Sequence, residues 1–328
     1  MNWAKAPLRS AINLSKNFIF TATFFLLVQG AAFGQPYVYE RSFGTIGTGP
    51  GQFEQITALA QDSHGNYIIL DGSAGEYQIC TNVGECTEHE TLAKVEGQLG
   101  SQVGLAVNSS DEIFIINQHY GKVEKCTHGG NCEIFLTEHE GLGMQPGAIA
   151  IDPQDRIYIT DANSGRGHII VCNTAGNCSS FGSWGSDLGQ FYDPCGLAIN
   201  SRGQVVIFDS SNPRIQACDH QGNCEYVSYD NSYYYLFRYC GLNDGQGIAL
   251  LPSDTMIIMG SGEATLGACT PGGTCRRIAW NDYSNGTDYL DSPATVMVTN
   301  NDRLVIGGFG AVHFLAPNVT INPGINDA

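Results

Sequence analysis

Five pairs of cysteines recur along this chain with the spacing C-x5-C: Cys80/Cys86, Cys126/Cys132, Cys172/Cys178, Cys218/Cys224 and Cys269/Cys275. The first cysteines of the first four pairs are 46 residues apart at each step, and the last step is 51. A fixed period of this size means a repeat architecture, in which each unit buries its apolar face against the next. Paired cysteines at this density also belong to an oxidising compartment.

Each period carries the same pattern of short apolar runs between turn signals. The clearest run has six copies: 67–71, 113–117, 157–161, 205–209, 256–260 and 304–308. Runs of four or five β-formers bounded by turn residues predict buried strands. A shorter strand leads into each of them, as in Gly147-Ala-Ile-Ala-Ile-Asp152. A third ends on the first cysteine of a pair and a fourth begins at the second. Four short strands per repeat predict a blade of a β-propeller. The count is six blades. The sixth has no cysteine pair and only three strands, ending near Leu315. Phe43-Gly44 and Gly51-Gln52-Phe53 match Phe181-Gly182 and Gly189-Gln190-Phe191 at an offset of three repeats. The segment from Tyr37 to Phe43 therefore takes the missing fourth-strand slot and closes the ring, leaving no open edge for aggregation. The fold expected is all-β: a six-bladed propeller of four-stranded antiparallel blades.

At these residues the chain resembles the NHL-repeat propellers. The stretch from Phe181 through Gly189-Gln190-Phe191 to Asn200, with Gly203, Asp209 and Asn212-Pro-Arg-Ile-Gln216, fits that family's pattern. In blades five and six, Gly260 and Gly308 replace the aspartate that ends the second strand. The resemblance implies a six-bladed scaffold that binds proteins or other ligands. Some related propellers are lyases or lactonases with an axial metal. No catalytic residue carries over to a matching position.

The linkers between paired cysteines are TNVGE, THGGN, NTAGN, DHQGN and TPGGT, with glycine always fourth. A hairpin loop with a bulge needs φ > 0 at that position, which glycine takes freely. The cysteines then face each other across strands three and four, at the rim, and are expected to form disulfides. The chain-entropy account gives roughly 2.4 kcal/mol for closing such a small loop. Zinc is the rival reading, but it favours shorter spacings and gathers four ligands. Cys195 and Cys240 stand outside the ladder and are expected to bridge, pinning the longer loop behind the 51-residue step.

Residues 1–34 read as a signal peptide, with basic Lys5, Arg9 and Lys16 ahead of an apolar run from Phe18 to Val28. Cleavage is expected before Gln35, leaving 35–328 as one propeller domain with no transmembrane anchor, secreted or periplasmic. The whole chain carries −17, and the leader carries +3 with no acid, so the remainder carries −20. Such a surface repels phosphate backbones and argues against nucleic acid.

The loops joining strands two to three and four to one share one face, opposite the cysteine hairpins. On that face blades four to six concentrate aromatics: Trp184, Tyr192, Tyr233, Tyr234, Tyr235, Trp280 and Tyr283. Carboxylates, Asp187 and Asp193 among them, are interspersed. Flat rings beside hydrogen-bond acceptors suit a sugar, although tyrosines also serve to pack long loops. The second-strand ends Asp71, Asp161 and Asp209 offer oxygens that a Ca²⁺ at the axis could use. The alternative is that each caps its own turn. Glu88-His89-Glu90 and Glu138-His139-Glu140 read as solvated acidic turns. The function expected is an exported, non-catalytic binding propeller for a glycan, peptide or partner protein. The alternatives are a metal-dependent lyase or hydrolase, lactonase-like, and a structural component of the cell envelope.

Overall fold

Short apolar runs bounded by tight turns build the architecture expected of them. The structure is a computed structural model that describes residues 37–95, 102–137, 146–161, 166–212, 214–227, 247–260, 265–278 and 294–317. These lie within the unit Gln35–Ala328. The leader expected at 1–34 falls outside them.

The chain begins with β1 (Tyr37–Phe43). Blade one is β2 (Ile56–Gln61), β3 (Tyr67–Asp71), β4 (Glu76–Cys80) and β5 (Cys86–Glu90), followed by a single turn of helix, α1 (Leu92–Val95). Blade two is β6 (Gln102–Val107), β7 (Ile113–Asn117), β8 (Lys122–Cys126) and β9 (Cys132–Leu136). Blade three is β10 (Pro146–Ile151), β11 (Ile157–Asp161), β12 (His168–Cys172) and β13 (Cys178–Phe181). Blade four is β14 (Pro194–Ile199), β15 (Val205–Asp209), β16 (Arg214–Cys218) and β17 (Cys224–Val227). Blade five is β18 (Ile248–Leu250), β19 (Met256–Gly260), β20 (Thr265–Cys269) and β21 (Cys275–Ile278). Blade six is β22 (Thr295–Val298), β23 (Leu304–Gly307) and β24 (Val312–Pro317), with β1 as its outer strand. All strand pairings within the blades are antiparallel. Each innermost strand contacts that of the next blade, and β22 contacts β2, so the ring is closed.

Six apolar clusters fill the gaps between neighbouring blades. Alternation divides one strand between two of them. Val205 and Ile207 of β15 pack toward blade three, while Val206 and Phe208 pack toward blade five. Second strands β3, β7, β11 and β15 are consequently buried at every position. The outer strand β13 is largely exposed.

All five ladder pairs are disulfides, each joining directly opposed residues with Cα atoms 4.0 Å apart. The glycine two residues before each second cysteine has positive φ, from 79° at Gly130 to 87° at Gly84, as the bulged loop requires. One expectation needs correcting. The first cysteine of each pair does not sit at the solvent rim; it is at most 1% exposed. Strand three is deep enough in the blade that its alternate residues face the preceding blade, so Cys126 packs against Tyr77 and Leu70 of blade one. Leu315 takes the equivalent slot in blade six, where the chain ends break the hairpin.

The closing strand β1 pairs with β24 from Tyr37↔Pro317 to Phe43↔Val312, with an irregularity between Tyr39 and Arg41. Glu40 lies in that irregularity and accepts two bonds from Arg303, at 2.7 and 3.1 Å. Those bonds hold the Glu40 carboxyl below its usual range. The Arg41 guanidinium lies 3.7 Å from the Phe314 ring centroid.

A second set of ties joins blade to blade on the cysteine face. Asp111 and Asp155 occupy the left-handed position of their strand one–two hairpins, at φ 59° and 58°, and Asp254 does so at 59°. Each carboxylate accepts both the N–H and the Oγ–H of a serine one blade earlier. Ser63 donates to Asp111 at 2.8 and 2.7 Å, Ser109 to Asp155 at 2.9 and 2.6 Å, and Ser201 to Asp254 at 2.7 Å twice. Between blades three and four both halves are missing, since Pro153 and Gly203 hold these positions. The sequence carried a readable signal: aspartate where a bulged hairpin would ordinarily take glycine.

Candidate functional site

Pro194 pairs with Asp209 at one end of blade four, and Cys218 with Cys224 at the other. The 182–193 loop and the 210–212 turn therefore share the face opposite the disulfides. The local sequence dictates the shape of the loop. Gly182, Gly185 and Gly189 have φ of 89°, 152° and 78°. A Cβ at Gly185 would collide with the Gln190 side-chain amide, so the loop folds tightly over that side chain.

Strand three of the blade then fastens the loop from below. The buried Arg214 donates to the carbonyls of Ser186, Asp187 and Gln190. Gln216 accepts from Gly189 N–H at 2.8 Å and donates to Gln190 O at 2.9 Å. Asn212 donates to Gly185 O at 2.9 Å. The related 44–53 loop of blade one keeps the glutamine contact through Gln78. It has Ala74 and Glu76 where blade four has Asn212 and Arg214.

This rigid loop presents Trp184, 55% exposed, with its ring centroid 4.6 Å from that of Tyr192. Leu188 is exposed on the same loop. Beneath Tyr192 lies a carboxylate pair with different environments. Asp209 is fully buried and accepts the N–H groups of Tyr192 and Asp193 at 3.0 and 2.9 Å and the Asn212 amide at 2.8 Å. Its Oδ2 is 3.5 Å from Arg214 Nε. Asp193 is half-buried and accepts from Ser210 Oγ at 2.9 Å. Burial pushes the Asp193 carboxyl above its usual range; the Ser210 bond opposes that, and the Asp209 carboxylate adds to it. The arrangement offers a partner two flat apolar faces, a protonatable carboxyl and a serine hydroxyl.

The other expected site residues are distributed unevenly. Tyr233, Tyr234, Tyr235, Trp280 and Tyr283 lie outside the described residues, as does Cys240. Cys195 is disulfide-bonded. Asp71, like Asp209, is buried at a strand end and accepts backbone N–H groups, from Glu54 at 2.6 Å and from Gln55 and Ala74 at 3.2 Å. Asp161 is buried as well. All three sit one strand out from the innermost, and a cation at Asp71 or Asp209 would compete with these amides. Among the described residues, one group of three ligating atoms lies within 4.8 Å, and two of them are the bonded sulfurs of Cys126 and Cys132. Glu88, His89 and Glu90 are not a turn but part of β5, where pairing with β4 extends the strand and His89 stacks on Tyr77. Glu138, His139 and Glu140 lie outside the described residues.

No family profile matches the chain, and no curated protein sequence matches it. Solved structures do. A streptogramin B lyase structure aligns with TM-score 0.60 at 12% identity, over 86% of this chain and 98% of that one. Virginiamycin B lyase from Staphylococcus aureus aligns at 0.55 and 11% identity, over 79% of each chain. A chain of a nidogen/laminin complex aligns at 0.51 and 15% identity, over 81% of this chain and 85% of that one. At such identities the likeness shows the propeller fold and carries no activity.

Proposed function

We propose that this protein is an exported binding propeller that recognises an extracellular or periplasmic partner through the blade-four loop. The observation that carries the reading is the exposed Trp184–Tyr192 pair on a backbone fastened by Arg214, Gln216 and Asn212. A tryptophan left in water on a loop held this firmly is preorganised, so little ordering cost is paid on binding. The five disulfides agree with an oxidising compartment. Among the described residues no helix is long and apolar enough to cross a membrane. The partner class favoured is a glycan or a peptide segment, because rings beside a carboxyl and a hydroxyl suit both. One fold neighbour comes from a nidogen/laminin complex, which agrees with a protein partner.

The test is a screen of protein lacking residues 1–34 against immobilised glycans and extracellular protein fragments. Any hit should be lost in Trp184→Ala with the melting curve unchanged. A hit that survives both Trp184→Ala and Tyr192→Ala overturns the reading. Stoichiometric calcium or zinc in protein purified without chelator would favour the metal-dependent lyase or hydrolase instead.

A further inference from the structure

Two histidines and two aspartates meet on the cysteine face where blade one adjoins blade two. Asp62 and His64 belong to the strand one–two turn of blade one, Asp111 to the matching turn of blade two, and His128 to the blade-two cysteine hairpin. The Ser63–Asp111 tie already fastens the two turns to each other.

Two pairs in this cluster stand beyond ordinary hydrogen-bond distance. His128 Nε2 is 3.6 Å from Asp62 Oδ2, and His64 Nδ1 is 3.3 Å from Asp111 Oδ2. N–H···O bonds run about 2.7–3.2 Å. Two ligands of a tetrahedral zinc-type ion stand about 3.3–3.6 Å apart, given metal–ligand distances of about 2.0–2.2 Å. His128 Nε2 is also buried and has no hydrogen-bond partner among the described residues. A polar atom left in that condition destabilises the fold unless something satisfies it. Asp62 Oδ2 accepts one bond, from the Asn66 amide at 2.8 Å, and keeps a second lone pair. An ion between the two atoms would satisfy both.

Other blade junctions do not repeat the arrangement. The corresponding residues are Asn108 and Thr174 at the next junction, and Asn200 and Pro271 between blades four and five. Between blades three and four they are Asp152 and His220, but there Asp152 Oδ2 accepts from both Arg156 Nε and Tyr158 Oη.

We propose that His128 and Asp62 hold a divalent transition-metal ion, zinc or one of similar preference, and that His64 completes the site from the solvent side. In the structure the His64 ring is turned to Asp111. It is 71% exposed, and the His64 N–H donates to Asp62 Oδ1 at 2.9 Å, so the ring can swing toward the Asp62 carboxylate. Water takes the remaining position. Imidazole beside carboxylate suits zinc, copper or nickel, whereas calcium takes oxygen alone. The ion clamps blade one to blade two. The site shares no residue with the Trp184 loop and does not depend on that reading. Zinc that is lost with His128 is likewise no sign of an axial ion.

The experiment titrates Zn²⁺ alone into protein lacking residues 1–34, free of any histidine tag and stripped with chelator. One equivalent should bind, the imidazole resonances of His128 and His64 should shift together, and the melting temperature should rise. The exposed His119 and His220 should not respond. His128→Gln should weaken binding by about tenfold or more, and His64→Gln should weaken it as well. His220→Gln, at the matching hairpin position of blade four, should leave it intact. No shift at His128 in the unsubstituted protein, or full binding in a folded His128→Gln protein, would overturn the proposal. So would a shift confined to His64, which marks an adventitious ion only. The first and last of these outcomes need no variant to fold.

Discussion

Arg214 is the residue whose replacement most directly tests whether the blade-four loop is a built platform. Its guanidinium donates to the Ser186, Asp187 and Gln190 carbonyls and lies 3.5 Å from the buried Asp209 carboxylate. Bonds from a charged donor contribute about 1.5–3 kcal/mol each when buried. Three of them set an upper bound, because the freed carbonyls belong to an exposed loop and can turn to water. Asp209 also keeps its three other donors. We expect Arg214→Ala to cost about 2–4 kcal/mol. For a domain of this size that lowers the melting temperature by roughly 3–7 °C. Arg214→Lys should lose most of the same stability, since one ammonium cannot span three carbonyls. Calorimetry measures the loss, and amide hydrogen exchange locates it. Exchange should quicken at Gly189 and Phe191, whose N–H groups donate to Gln216 and Ser183. It should not change at Gly51 of the blade-one loop, which has Glu76 in place of arginine and is held by Gln78. Binding of any Trp184-dependent partner should weaken in step. A folded Arg214→Ala protein with unaltered exchange across 182–191 would refute the idea that this side chain rigidifies the platform.

Three further outcomes follow from the same contacts. A double-mutant cycle of Ser109→Ala and Asp155→Ala should return a coupling of about 0.5–1.5 kcal/mol; zero coupling would mean that the serine–aspartate ties contribute nothing between blades. Asp193→Asn reports a pH dependence. The folded protein holds the Asp193 proton more tightly than the unfolded chain, so stability falls as pH rises from the ordinary value of 3.8 through the raised one. The variant removes that fall, and its melting temperature relative to the parent should climb as pH rises from 3.8; a constant difference contradicts the assigned shift. Replacing Cys126 and Cys132 together by alanine should cost about 2–4 kcal/mol. Because Cys126 packs between blades one and two, exchange should quicken in β4 as well as in β8 and β9.

Much of the architecture could be read from local chemistry. The cysteine period set the blade length, glycine at the fourth linker position announced the bulged hairpin, and Tyr37 to Phe43 identified itself as the closing strand through its match to blade four. These features are legible because they depend on backbone conformation and alternation, which neighbouring residues impose. The depth of the cysteines was not legible. Whether a residue of strand three faces solvent or the preceding blade depends on how far the next blade overlaps it. The same holds for Glu88 and Glu90, which resemble a solvated turn until pairing with β4 makes them strand.

The candidate site divides along the same line. Sequence pointed to Trp184 and Tyr192, because aromatics in a glycine-rich loop have few local reasons to be there. It also raised Asp71 and Asp209 as oxygens for a cation, and it could not show that backbone amides from the 53–55 and 192–193 segments converge on them. The period, the hairpins and the ring closure followed from interactions within one repeat or between its copies. The burial of the first cysteines and the fastening of the Trp184 loop depend on contacts between distant segments, and only the packed ring brings those segments together.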